Sequence, residues 1–416
     1  MKKVLVPRVR FKEFSEEWNT KTLGDICSSF GGTSLERFFN SYGNYKVISI
    51  GNFGISGVYE DQKLRINLND ITQKYLLDKD DLAMILNDKT QECNILGKCI
   101  YIDKNNEYIY NQRTQRLKVN KNLVFSKYLF YLINFSKFRE KVKVEAQGNT
   151  QVYLNFRNVA NFTVDFPLLS EQQKIGKLLD EISNLINLEN SKLNKLKQLK
   201  ETLLQKMFPE GNSKTPRIRF EGFEGEWKEE RLENITKRMS SGGTPSTTIK
   251  KFYNGKIPFL TISDMTKVGK YINNTEKNIT PEAIENSSTW LVPKNSLLLS
   301  MYASFGKTAI NKKEITTSQA ILGIILNNNI SVEFLYYLLF LMDINKYWYK
   351  QVETGTQPNL SNWTVSKTLI KLTKNISEQQ KIGDFFCKID TLINLYNSKL
   401  NKLKQIKEAL LQKMFV

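Results

Sequence analysis

The sequence predicts an α/β (α+β) protein with a pseudo-two-fold internal repeat: two globular, sheet-containing domains joined by an antiparallel pair of long coiled-coil helices. Two observations carry that prediction. Ser170 to Phe208 (SEQQKIGKLLDEISNLINLENSKLNKLKQLKETLLQKMF) and Ser377 to Phe415 (SEQQKIGDFFCKIDTLINLYNSKLNKLKQIKEALLQKMF) are identical at 29 of 39 positions, without a gap and at a constant offset of 207. A repeat of that length defines the architecture before any local pattern is read. The opening segment also recurs, as PRVRFKEFSEEWNTKTLGDI at 7–26 and PRIRFEGFEGEWKEERLENI at 216–235. Each half therefore opens with one shared segment and closes with one shared helix. The expected boundaries are a first domain at 1–168, a helix at 169–208 and a linker at 209–215, then a second domain at 216–374 and a C-terminal helix at 375–416.

Composition narrows the function classes. A chain of 416 residues that is 40% hydrophobic and 11% aromatic can bury a core in each half. Its formal net charge of +19 lies mainly in the two non-helical blocks and points to a polyanionic partner, of which nucleic acid is the commonest. A lysine-rich chain from an AT-rich genome is the plain alternative. Cys27, Cys93, Cys99 and Cys387 form no Cys-x-x-Cys pair and are expected to be reduced, buried thiols of a cytoplasmic protein. The N-terminal MKKVLVPRVRF meets Pro7 before any sustained apolar run, so no signal peptide is expected. Histidine is absent, which removes imidazole bases, Ser-His and Cys-His nucleophiles and nearly all common zinc sites.

Along each domain the local signals are mixed. Val47–Ile50 and Pro258–Ile262 look like strands running into polar loops at Gly51-Asn52 and Ser263-Asp264. Gly97–Ile102 and Ala320–Leu326 are short β-branched apolar runs and read as strands. Tyr128–Val142 and Phe334–Tyr349 carry apolar residues at three- and four-residue spacing and read as core-facing helices. Trp18 and Trp227 are expected in the cores, and Gly31-Gly32 and Gly242-Gly243 in tight turns.

In the repeated helix, Ser170 and Ser377 are expected N-caps, with Gln173 and Gln380 completing capping boxes. The apolar seam of the first copy is Ile175, Leu179, Ile182, Ile186, Leu193, Leu196, Leu203 and Met207. That of the second is Ile382, Phe386, Ile389, Ile393, Tyr396, Leu400, Leu403, Leu410 and Met414. Glu189, Lys200 and Lys407 interrupt it, and Pro209 and Gly211 stop the first copy. A straight helix of this length spans ~58 Å. Connectivity then places a domain at each end of an antiparallel pair. Near-identity on every face, beyond what a seam requires, suggests that each copy also docks the same partner.

Two divergent heads, two near-identical helices and a basic surface resemble the specificity subunit of type I restriction-modification systems. The residues that carry the likeness are Ser-Glu-Gln-Gln-Lys-Ile-Gly at 170–176 and 377–383, Gly-Thr-Gln-Pro-Asn-Leu at 355–360, and the Arg-Phe…Trp entry of each half. The first half departs at its counterpart loop, Gly-Asn-Thr-Gln-Val-Tyr-Leu at 148–154. The resemblance implies that each head is a target recognition domain for one half of a bipartite, asymmetric duplex DNA site. It further implies a non-catalytic subunit serving defence against foreign DNA. Two adenine methyltransferase (modification) subunits and restriction (translocase/endonuclease) subunits would join it. S-adenosylmethionine, ATP and magnesium would then bind those partners, with no cofactor or metal on this chain. The sequence agrees in lacking an Asn/Asp-Pro-Pro-Tyr/Phe methyltransferase motif. Phe305-Gly-Lys-Thr308 lacks the first glycine of a phosphate loop, since that position is Met301.

Candidate base readers are polar or aromatic loop residues: Asn87, Lys89, Gln91, Gln112, Arg113, Gln147, Asn149, Gln151 and Tyr153 in the first domain. In the second they are Thr244, Asp264, Tyr302, Ser304, Lys307, Gln319, Gln357 and Asn359. For each, an ordinary turn or solvated loop position is the competing reading. A two-domain nuclease and a non-specific nucleic-acid-binding coiled-coil scaffold remain the alternatives for the whole chain.

Overall fold

A computed structural model describes residues 6–267, 269–302, 304–352 and 359–416. The chain forms two compact units, Met1–Asn190 with Ser398–Val416, and Ser191–Asn397. Two 39-residue helices, Leu169–Met207 and Ile376–Met414, each contribute their first part to one unit and their last part to the other.

In the first unit a four-stranded antiparallel sheet has the order Cys27–Gly31, Thr114–Val119, Leu82–Ile85, Cys99–Tyr101. A three-stranded sheet has Tyr45–Ile48 between Arg65–Ile66 and Tyr108–Tyr110. Strand Leu82–Ile85 is buried on both faces. Leu82 and Met84 join the main core with Trp18, Tyr128, Ile175, Leu179, Met414 and Phe415. Ala83 and Ile85 face a second core with Ile48, Ile100 and Tyr110. Successive strand residues point to opposite faces, so an unbroken apolar run is what a strand covered on both sides requires.

The second unit repeats the plan. Its five-stranded sheet runs Thr236–Ser241, Ile321–Leu326, Leu297–Ser300, Thr308–Asn311, Tyr271–Ile272. Leu297 and Leu299 face the main core with Trp227, Phe334, Ile382 and Phe386, and Leu298 faces Leu260, Met265 and Ile321. Each unit is closed by pairing its entry and exit strands antiparallel: Asn19–Thr22 with Thr163–Phe166, and Lys228–Arg231 with Leu369–Leu372. Trp18 and Trp227 are buried at 5% and 1% exposure, so both are core residues.

The repeated Ser-Glu-Gln-Gln-Lys-Ile-Gly motif is a structural lock. Glu171 and Glu378 are fully buried and take bidentate bonds from Arg10 (2.8 and 2.8 Å) and Arg219 (2.6 and 2.8 Å) of the Arg-x-Arg-Phe segments. The Gln172 amide accepts from Phe125 N and donates to the carbonyls of Leu123 and Pro167. Gln379 likewise accepts from Ser331 N and donates to Thr373 O. A Cβ on Gly176 would lie 2.9 Å from the Phe125 ring, and one on Gly383 2.9 Å from Glu333 Cβ. Glycine is what lets the next helix approach. The entry segment and the long helix therefore recur together because they bind each other.

Within each unit the two long-helix segments run antiparallel. In the first, Ile175 packs with Met414, and Glu189 pairs with Lys399 at 3.0 Å. In the second, Met207 packs with Ile382 and Phe386, and Lys200 pairs with Asp390 at 2.6 Å. Ile175, Leu179, Ile182, Leu193, Met207, Ile382, Phe386, Ile389, Leu400 and Met414 are buried. Ile186, Leu196, Leu203, Ile393, Tyr396, Leu403 and Leu410 are half-buried. Leu204, outside the expected seam, is fully buried. The strict heptad widens here because the helices also pack on their own domains.

Several local expectations are corrected. The helices begin at Leu169 and Ile376, so Ser170 and Ser377 lie in the first turn and Gln173 and Gln380 are exposed. Asn375 Oδ1 caps the second helix, accepting from Ser377 N and Glu378 N. The stretch Tyr128–Val142 is two helices, Ser126–Asn134 and Ser136–Glu145, parted at Phe135. Ser263-Asp264 lies in a helix, Ile262–Lys267, rather than a loop. Gly32 and Gly242 are not turn residues with positive φ. A Cβ on either would sit 2.0 Å from Asn111 O or 1.9 Å from Thr317 O, so close backbone approach selects glycine there. Cys27, Cys93 and Cys99 are buried free thiols, whereas Cys387 is half-buried.

Candidate nucleic-acid interface

One backbone arrangement occurs in both units and gathers most of the candidate readers. In the first, Leu86 N donates to Arg113 O (2.8 Å) and Leu154 N donates to Leu86 O (2.8 Å). In the second, Met301 N donates to Ala320 O (2.9 Å) and Leu360 N donates to Met301 O (2.8 Å). Three loops from distant sequence positions are thereby tied at the end of a central buried strand, Leu82–Ile85 or Leu297–Ser300.

In the first unit Asn87–Asp88 pairs with Val152–Tyr153, bringing Asn87 opposite Tyr153. Asp88 organises the following loop, accepting from Thr90 N, Ile95 N and Leu96 N. Gln147 and Tyr153 exchange backbone bonds at 3.0 and 2.9 Å. The turn between them needs Gly148 at φ +99°, a region closed to most L side chains. The Gln91 amide donates to Asn149 O and ties the two loops. Lys89, Gln91, Arg113, Gln147, Asn149, Gln151 and Tyr153 are exposed. Lys89 and Arg113 form no ion pair among the described residues. Gln112 is half-buried and donates to Glu36 Oε1 at 2.7 Å. Hydrogen bonds from Ser34, then Asn111 and Gln112, hold the Glu36 carboxyl down to about 2, so Glu36 is a fixed anionic acceptor that orients Gln112.

In the second unit Tyr302, Ser304 and Lys307 lie on the loop between Leu297–Ser300 and Thr308–Asn311. Ser304 has φ +62°, and the Lys307 ammonium donates to Thr266 O at 3.1 Å. Thr244 and Gln319, both exposed, are hydrogen-bonded to each other. Asn359 is half-buried beside Leu360, and Gln357 lies outside the described residues.

Asp264 does not belong with this group. It is buried at 3% exposure and accepts from Thr261 N, Thr261 Oγ1 and Glu276 N. These bonds start a helix and hold Glu276, and the burial keeps the carboxylate away from a base edge. Conversely, Trp363 is 71% exposed on the helix Asn362–Lys367, directly after Leu360. Sequence pattern passed over it because an exposed tryptophan reads like a core one until its neighbours are placed.

Among the described residues no group of three or more His, Cys, Asp or Glu side chains could hold a metal ion. Among the described residues no helix is long and apolar enough to cross a membrane. What the arrangement offers is binding chemistry, namely amides, hydroxyls and cations on loops anchored to a rigid sheet.

Fold and loops together define an internally repeated α/β protein with two loop-bearing heads and two long helices. The chain belongs to the type I restriction modification DNA specificity family, whose model matches residues 15–198 and again 224–405. It is accordingly a specificity subunit of such a system, with DNA recognition as its role and assembly with other subunits as its context. Specificity subunits are its non-catalytic components.

Among curated relatives, the MjaIX specificity subunit of Methanocaldococcus jannaschii is 32% identical over 46% of this chain and 44% of that protein, so the chain matches less than half of its length. The HindI specificity subunit of Haemophilus influenzae is 24% identical, over 96% of this chain and 98% of that protein. The S subunit of a type I system from M. genitalium shares the fold, with a TM-score of 0.66 and 17% identity across 99% of both chains.

Proposed function

We propose that each head reads one half of a bipartite, asymmetric duplex site, and that the chain positions two modification subunits on that DNA. The observation that carries this is the loop arrangement present in both heads. The same backbone bonds hold it, at Leu86–Arg113–Leu154 and Met301–Ala320–Leu360, yet its exposed side chains differ. One scaffold with two reading surfaces suits two different half-sites. Lys89 and Arg113 supply phosphate or guanine contacts, and each good bidentate base contact contributes about 1–3 kcal/mol of discrimination.

The long helices support the docking part. Leu185, Leu188 and Ile406 are exposed in the first unit, and Leu392, Leu395 and Leu199 in the second. These are the same repeat positions in the two copies, offset by 207. Apolar residues repeated at solvent positions are a cost unless something covers them. Two copies of one partner would cover both sets. In this reading the chain performs no chemistry, and S-adenosylmethionine, ATP and magnesium are held by the modification and restriction subunits.

The test is adenine-methylation mapping in a host lacking other methyltransferases, with and without this chain alongside its modification subunit. The expected result is a motif of two short halves separated by a fixed gap. Exchanging residues 87–91 and 147–154 for another sequence should change one half only. Methyl transfer by the chain alone, or a change in both halves, refutes the reading.

A further inference from the structure

Lys200 and Lys407 occupy the same position of the repeated helix, but their surroundings differ. In the second unit Lys200 sits 2.6 Å from Asp390 Oδ1, and Tyr337 donates to Asp390 Oδ2 at 2.6 Å. The ammonium also lies over the rings of Tyr337 and Phe340 at 5.4 and 4.8 Å. In the first unit the position equivalent to Asp390 is Ser183. Tyr131 keeps its bond to that position, 3.0 Å to Ser183 Oγ, and Lys407 keeps its ring, 5.3 Å over Tyr131. The carboxylate is missing. Asp180, one turn earlier, is engaged by Lys127.

A cavity of about 270 Å³ opens beside this lysine, lined among others by Ser56, Lys98, Tyr131, Lys404, Lys407 and Glu408. Three ammonium groups there face a single carboxylate. Neither Lys98 nor Lys407, both half-buried, has an ion-pair partner among the described residues. Burial, with Arg139 adding to it, pushes Lys98 down to about 8, and burial lowers Lys407 as well, against the smaller opposing pull of the Asp180 and Glu408 carboxylates. Half-buried like charges that outnumber the carboxylates near them are costly. A bound anion would remove that cost. The space has room for a phosphate group and part of its hydration.

We propose that the first unit carries a binding pocket for a phosphate-type oxyanion, formed by Lys98, Lys404 and Lys407, at the position that the second unit closes with its Lys200–Asp390 pair.

Calorimetric titration of the full chain with inorganic phosphate tests this, at constant ionic strength against a chloride reference. One saturable site is expected. Ser183→Asp, which copies the second unit's pair, should weaken phosphate binding at least tenfold while the circular dichroism spectrum stays unchanged. Lys407→Met should do the same by deleting the charge. Duplex DNA separates the possible sources of the phosphate group. If the pocket takes a backbone phosphate, Ser183→Asp also lowers the slope of log affinity against log salt by about one. If it takes a free phosphate or a nucleotide, duplex binding is unchanged while phosphate binding is lost. Absence of saturable binding to the wild-type chain overturns the proposal, as does undiminished binding by Ser183→Asp. The phosphate titration does not depend on DNA reading, so its failure would leave the function proposed above standing.

Discussion

Replacing Arg10 by methionine removes one partner of a buried, bidentate pair and leaves Glu171 stranded. The Glu171 side chain has no solvent exposure and that of Arg10 only 10%, so water cannot take over the lost bonds. Breaking such a pair from one side costs about 3–5 kcal/mol. For a unit of this size each kcal/mol moves the melting temperature by about 2–4 °C, so the first unit should melt roughly 6–20 °C lower. Arg219→Met should cost the second unit more, because Arg219 also donates to the carbonyls of Gly225 (2.7 Å) and Glu224 (3.0 Å). Differential scanning calorimetry with separate transitions for the two units is the assay. The double variant Arg10→Met/Glu171→Met should recover most of the loss, since an apolar pair of similar volume replaces a buried ion pair at little cost. A single variant that shifts melting by less than 1 °C, or a double variant as unstable as the single, would refute the lock.

Gly32→Ala and Gly242→Ala each force a backbone shift, because the new Cβ would lie about 2 Å from a carbonyl oxygen; each should lose about 1–3 kcal/mol in urea unfolding. Lys89→Ala and Arg113→Ala should weaken duplex binding, and a phosphate-contacting member should reduce the salt slope by about one. Glu36, held at about 2 in the fold against 4.5, contributes stability that is full above pH 4.5 and lost as pH falls towards 2. Glu36→Gln should flatten the acid limb of the unfolding curve over that window. A chain ending at residue 215 should dimerise, because its own residues 191–208 closely match residues 398–415 of the segment that completes the first unit; sedimentation as a folded monomer would contradict this.

Much of the architecture was legible because its signals are long and periodic. The 39-residue repeat, the shared entry segments and the strands at Gly97–Ile102 and Ala320–Leu326 need no tertiary information. Boundaries fared less well. Ser170 looked like a cap because serine commonly caps helices, but the preceding turn is held by packing and by the Gln172 bonds, which no local rule encodes. Tyr128–Val142 kept helical periodicity across the break at Phe135, so the pattern could not show it. At the interface, sequence located the loops by their polar composition and missed Asp264's burial and Trp363's exposure.

Sequence alone determined that the chain is two versions of one domain with one helix each, and that it is basic and free of histidine chemistry. These are properties of residue identity and order. Tertiary structure alone decided why Arg-x-Arg-Phe and Ser-Glu-Gln-Gln recur as a pair, since the pair is a bond across about 160 residues. It also decided which loops meet, because backbone bonds at Leu86 and Met301 join segments that sequence distance keeps apart. Lys200 and Lys407 show the same limit: one is neutralised and the other faces a cavity, and the difference lies in the residue one turn of partner helix presents to each.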